Sequence, residues 1–165
     1  MGDHTEAISI DFDPSVISYE KLLAHFWNGH RCNSVNSSTQ YMNAVFYQND
    51  SQHSIAKKSL TQHITKLGIN SADVQTKILP VRQFTYAERY HQKYYLRRGS
   101  DIRSFLENTY TDAKSLADST VATRLNAYLG TGARRNWTNF REELPQYGLP
   151  DNLEEKVRKI AGNKR

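Results

Sequence analysis

The stretch YMNAVFYQNDSQHSIAKKSLTQHITKLG, residues 41–68, decides the class of fold. Its first part contains Ala44, Val45, Phe46 and Tyr47 in succession, a short apolar and aromatic run that reads as a buried strand. Asp50 or Ser51 can then cap a helix that carries Ala56, Leu60, Ile64 and Leu67 along one stripe, with Gly68 to close it. From Val74 to Phe84 the chain returns as an extended segment interrupted by Pro80. Strand, helix and strand in this order point to helices packed on a sheet.

Working outward, Ile8, Ile10 and Phe12 alternate with Ser9 and Asp11, the period of a half-buried strand, and Asp13-Pro14 stops it. Ser18 caps a helix with Tyr19, Leu22, Leu23, Phe26 and Trp27 at helical spacing. Residues 29–40 are polar and read as a loop, and a helix is predicted from about Tyr86 to Arg97. The elements therefore alternate three times, which predicts an α+β or α/β sandwich. Past Gly99 the strand signal ends. Apolar residues recur at helical spacing in Val121, Leu125, Tyr128 and Leu129, in Trp137, Phe140 and Leu144, and in Leu153, Val157 and Ile160, with Gly130, Gly132, Gly148 and Pro150 between them. Two or three short helices are predicted there, so the chain divides into residues 1–98 and a helical extension, residues 99–165.

Composition bounds the function. The 165 residues, 38% hydrophobic and 24% charged, are enough for a folded core and exclude two large domains. Cys32 is the single cysteine, so an internal disulfide and any two-thiol chemistry within these residues are excluded. No apolar run approaches the roughly 18 residues of a membrane span, and Met-Gly-Asp-His-Thr-Glu has no signal-peptide character, which predicts a cytoplasmic chain with no membrane partner. The net charge of +5 raises a basic nucleic-acid-binding module as one reading. Against it, residues 1–96 are nearly neutral, with 9 basic and 8 acidic side chains, and no nucleic-acid signature is present.

Four clusters could carry chemistry: Gly2-Asp3-His4-Thr5-Glu6, Phe26-Trp27-Asn28-Gly29-His30, Thr39-Gln40-Tyr41-Met42-Asn43, and Tyr86-Ala87-Glu88-Arg89-Tyr90-His91-Gln92-Lys93-Tyr94. Singly, each has a structural reading: a solvated carboxylate, a core aromatic, a strand tyrosine, a helix-surface histidine. In this order and spacing, with Asp13-Pro14 between the first two, they resemble the peptide methionine sulfoxide reductase A family, which reduces the S epimer of methionine sulfoxide. Its motifs run Gly-His-x-Glu, Asp-Pro, Phe-Trp-x-x-His, Thr-Gln-Tyr-Arg-Ser and Tyr-Ala-Glu-x-Tyr-His-Gln-x-Tyr. The match covers about residues 2–97, and Ser119 to Leu129 resembles the extension of a eukaryotic branch.

The resemblance implies a two-layer α/β sandwich of the methionine sulfoxide reductase A (ferredoxin-like) type with a C-terminal helical extension. It implies a thiolate that attacks the sulfoxide sulfur while a buried acid and phenols polarise and protonate the oxygen. By position Glu6 matches the acid and Tyr41 a phenol, while Asn36, Glu88, Tyr90 and His91 match residues that shape the substrate pocket; Asn36 stands where the family has Asp. Phe26 and Trp27 are assigned to the core. The substrate implied is methionine S-sulfoxide in oxidised proteins, with no bound cofactor, no metal, and thioredoxin or another thiol as reductant.

The sequence also departs from the family. The nucleophile's Gly-Cys-Phe-Trp-Gly segment has no counterpart here, which leads to the expectation of an N-terminally truncated domain, inactive alone. Cys32 lies in a rearranged loop beside His30 and Arg31, an environment that can activate a thiol, but the loop would have to reproduce the geometry of a strand end. It is read as an incidental thiol. A non-catalytic binding protein for oxidised methionine is the alternative reading.

Overall fold

The computed structural model describes residues 4–36, 38–98, 100–130 and 137–162. Gly2, Asp3, Ser37, Gly99 and Gly132, which enter the motifs or boundaries above, lie outside the described residues. The fold is α+β, and its contacts separate two compact units, Met1–Phe84 and Thr85–Arg165. The contact boundary thus precedes residue 99, and Leu96 joins the buried core of the second unit.

The first unit is built on helices α1 (Tyr19–Asn28) and α2 (Asp50–Leu67) and strands β1 (Ala44–Tyr47) and β2 (Lys77–Pro80). The two strands are parallel, with Ala44 opposite Lys77 and Tyr47 opposite Pro80. Parallel neighbours need a crossover, and α2 provides it. Ser18 caps α1 by accepting from the Lys21 N–H at 3.3 Å, as its sequence position predicts. Asn49 caps α2 by accepting from the Gln52 N–H at 2.9 Å, one residue ahead of the predicted cap. Gly68 ends α2 at φ +67°, the left-handed conformation that glycine adopts without strain. Pro80 occupies the last position of β2, and the next N–H, that of Val81, bonds the Tyr47 carbonyl at 2.8 Å.

Leu23, Trp27, Val45 and Ala56 form the buried core of this unit, with Tyr19, Phe26, Ile55, Leu60 and Ile78 packed around them. Trp27 is 2% exposed, and its indole N–H is satisfied by Ser59 Oγ at 2.9 Å. The predicted strand over Ile8–Phe12 does not form. No described strand pairs with it, so Ile8 and Ile10 lie exposed, Ile8 at 84%, while Phe12 is half-buried against the ring of Tyr19. Alternation marks a face to be covered, and only a neighbouring strand turns that face into a sheet.

The second unit consists of α3 (Ser100–Thr109), α4 (Ala113–Asp118), α5 (Thr120–Leu129), α6 (Trp137–Glu143) and α7 (Asp151–Gly162). The last three fall where periodicity predicts them; α3 and α4 are additional. Their shared core contains Ile102, Leu106, Leu116, Leu125, Phe140, Leu144 and Val157. Asp112 caps α4 through the Ser115 N–H at 2.8 Å, and Ser119 caps α5 through the Ala122 N–H at 3.1 Å.

The helix predicted over Tyr86–Arg97 is replaced by turns ending in a short 3-10 turn, Leu96–Arg98. Two features oppose a helix. Lys93 sits at φ +49°, and the Asn126 side-chain oxygen accepts from the N–H groups of Tyr95 at 3.0 Å and Leu96 at 3.2 Å. Those donors would otherwise extend a helix toward carbonyls four residues back. Gly130 lies against the same segment: a Cβ there would meet Tyr95 Cδ2 at 2.8 Å.

Two outcomes test this architecture. Phe140→Ala removes a ring that is 0% exposed and should lower stability by about 3 to 5 kcal/mol in urea unfolding followed by circular dichroism. Tyr147, whose hydroxyl donates to Glu143 at 3.0 Å, has its phenol pushed up to about 12 by burial and by that carboxylate. A folded pKa above the unfolded one gives stability that is complete below the unfolded value, roughly 10, and is lost as pH rises through the folded value. Stability should therefore fall between about pH 10 and 12, and Tyr147→Phe should remove that step.

Candidate active site

In the first unit three hydrogen bonds join the segment of Glu6 to the 3-10 turn Thr39–Tyr41. The Thr5 hydroxyl donates to the Thr39 carbonyl at 3.0 Å, the Glu6 N–H donates to the Gln40 carbonyl at 2.9 Å, and the Gln40 side-chain amide donates to Glu6 Oε1 at 2.8 Å. Glu6 and Tyr41, 35 positions apart in sequence, are thus brought to one neighbourhood, with Gln40 holding the carboxylate and Tyr41 next to it in the chain. This role for Gln40 has one signal in the sequence, its place beside Tyr41 in the Thr39–Tyr41 motif. The carboxyl is not the buried acid that the resemblance implies. Glu6 is exposed and Tyr41 is 60% exposed, because no described element covers the loop on which they meet.

Asn36 lies exposed in the loop after α1, apart from any hydrogen bond described for Glu6. Cys32, in the same loop, is 1% exposed. Its carbonyl accepts from the N–H groups of Gln75 at 2.8 Å and Thr76 at 3.0 Å. His30 clamps the loop: one ring nitrogen lies 2.8 Å from the Phe26 carbonyl and the other 2.9 Å from Thr76 Oγ1. Both nitrogens that might have activated the thiol are therefore engaged elsewhere. The environment is that of a packed side chain, while a nucleophile must be reached by its substrate.

In the second unit the motif Tyr86–Tyr94 presents its aromatic rings outward. Tyr86, Tyr90 and Tyr94 are 44%, 60% and 53% exposed. Tyr90 and His91 have ring centroids 4.3 Å apart, and His91 Nε2 stands 4.0 Å from Glu88 Oε2. These three residues, predicted to shape a pocket, form one exposed cluster. The Tyr86 hydroxyl donates to Asp118 at 2.9 Å, and Lys114 pairs with the other carboxylate oxygen. Lys93, at the left-handed position, has its ammonium pushed down by burial. Among the described residues no group of three or more His, Cys, Asp or Glu could hold a metal, and no helix is long and apolar enough to cross a membrane.

The family model for peptide methionine sulfoxide reductase matches residues 1–121, so the chain belongs to that family of oxidoreductases. The peptide methionine sulfoxide reductase of Drosophila melanogaster is 36% identical over 151 residues, which cover 90% of this chain and 58% of the relative. That of Methanosarcina acetivorans is 36% identical over 64% of this chain and 55% of its own length, and that of Fragaria ananassa 35% over 60% and 53%. The chain thus spans little more than half the length of these relatives. The Drosophila match extends beyond residue 121 and takes in much of the helical second unit.

The burial of Cys32 gives a measurable outcome. Under native conditions it should react with a disulfide reagent such as Ellman's at least ~100-fold more slowly than in urea, since attack requires local opening. His30→Ala leaves the Phe26 carbonyl and the Thr76 hydroxyl without their ring partner; it should cost about 1 to 3 kcal/mol and speed the native-state reaction.

Proposed function

We propose that this chain recognises methionine S-sulfoxide in oxidised proteins and contributes to its return to methionine. In this reading Glu6 and Tyr41 polarise the sulfoxide oxygen, and Asn36, Glu88, Tyr90 and His91 are the residues proposed to bind substrate. Residues 1–98 carry these motifs and residues 99–165 form the appended helical extension. The observation that carries the reading is the hydrogen-bonded union of Glu6 with the Thr39–Tyr41 turn, which brings the segment of an acid and the segment of a phenol together, the two groups that oxygen protonation needs. The relatives of this chain, peptide methionine sulfoxide reductases, support the same chemistry.

Reduction also needs a thiolate at the sulfur. Cys32 is the one thiol in the sequence, and its burial argues against that role. Tested by itself, the chain is therefore proposed to bind the sulfoxide without reducing it, which favours the binding-protein reading for these residues alone. Thioredoxin or a small thiol is the reductant proposed for a complete family member.

The test separates binding from turnover. Chromatography of a methionine S-sulfoxide substrate incubated with the chain and dithiothreitol or thioredoxin should show no methionine. Titration with a sulfoxide peptide should show saturable binding that Glu6→Gln and Tyr41→Phe each weaken several-fold, in line with loss of about 1 kcal/mol per hydrogen bond. Turnover that disappears in Cys32→Ser would overturn the assignment of Cys32, and binding indifferent to Glu6→Gln would remove Glu6 from the site.

A further inference from the structure

Three guanidinium groups of the second unit converge on one carboxylate. Arg97 Nη2 and Arg89 Nη2 lie 3.4 Å and 3.5 Å from Glu107 Oε1, and Arg103 Nε lies 3.2 Å from Oε2. The cluster joins three segments: Arg89 comes from the motif Tyr86–Tyr94, Arg97 from the 3-10 turn, and Arg103 and Glu107 from successive turns of α3. Glu107 and Arg97 are largely buried, whereas the side chains of Arg89 and Arg103 are 53% and 46% exposed. Among the described residues Arg97 Nε is buried without an acceptor.

The charge in this cluster does not balance. Among the described residues one carboxylate faces three cations that hold their protons at any physiological pH, two positive charges more than it neutralises. Each guanidinium has five N–H donors; Arg97 and Arg103 each give one to Glu107, and Arg89 stands at ion-pair distance from it. The neighbouring acids are committed elsewhere: Asp101 is paired with Lys156, and Glu88 faces His91. Glu107 therefore fixes the arginines in place while Arg89 and Arg103 keep exposed donors for a second oxyanion.

Arg89 stands between Glu88 and Tyr90, two of the residues proposed to bind substrate. We propose that Arg89 and Arg103, oriented by Glu107, form an oxyanion subsite that takes the carboxylate of an acidic residue beside the oxidised methionine of a polypeptide substrate. This rests on the function proposed above and adds a sequence preference to it. The net charge of +5 acts in the same direction on acidic polypeptides.

The test uses four fluorescently labelled peptides on the 165-residue chain, with Asp or Asn flanking a central residue that is either methionine or its S-sulfoxide. At low ionic strength the Asp peptides should bind about tenfold more tightly than the Asn peptides, as expected for charge-assisted hydrogen bonds, and the ratio should shrink with added salt. The double substitution Arg89→Gln/Arg103→Gln, at two exposed positions, should bring the ratio to about one. A wild-type ratio near one, no measurable binding of the Asp peptides, or a ratio that survives the double substitution would each overturn the subsite. Inorganic phosphate that binds at the arginines without any Asp preference would assign the cluster to a free ion and overturn it as well. An Asp preference in peptides that bind equally tightly with methionine and with its sulfoxide would support the subsite while counting against the sulfoxide reading, so the two can fail separately.

Discussion

Two parallel strands of four residues bury almost nothing by themselves, so the first unit depends on Trp27. Its indole is almost wholly removed from water, and a buried N–H must find an acceptor or cost about 1 to 3 kcal/mol. Ser59 supplies that acceptor from one turn of α2 and thereby fixes where α1 crosses it. Once α1 is placed, the loop after it is held by His30 through Thr76 and by the carbonyl of Cys32, at the entrance to β2. The residue assigned to the core from its motif is thus the one from which helix, loop and strand take their positions.

The sequence reads well where a pattern is satisfied by its own segment. Ser18 and the stripe from Tyr19 to Trp27 specify α1 locally, and Gly68 ends α2 where its freedom of φ predicts. Reading fails where the deciding partner is remote. Ile8, Ile10 and Phe12 alternate correctly, yet alternation does not provide a strand to pair with. Tyr86 to Arg97 has helical composition, but an asparagine some thirty residues later captures two of its N–H groups. The site shows the same division. The order of motifs singled out Glu6 and Tyr41 as candidates, whereas the exposure of Glu6 and the burial of Cys32 depend on what packs over each loop. The cluster around Glu107 had no sequence signature, because its three arginines come from segments of different character.

Both groups of candidate residues are held by the same device, an amide side chain that bonds a neighbouring segment. Gln40 reaches the carboxylate of Glu6, and Asn126 takes the N–H groups of Tyr95 and Leu96. Neutral amides suit the task because they offer a donor and an acceptor without adding charge that would compete for an anionic or polar ligand. Exposed tyrosines can then stand at 86, 90 and 94 on a turn whose backbone is secured from behind.

Gly130 shows how far this arrangement reaches. Its backbone is extended and any residue could adopt it, so what opposes a side chain there is space: the ring of Tyr95 at 2.8 Å and the Asn126 carbonyl at 3.1 Å. A methyl group at position 130 would displace that ring, and with it the turn that displays Tyr90 and His91. The helical segment is therefore not free to drift in evolution as a passive appendage. A side chain at 130 asks room of both Tyr95 and the last turn of α5, which makes positions 95 and 130 a place to look for covariation among relatives that share this segment.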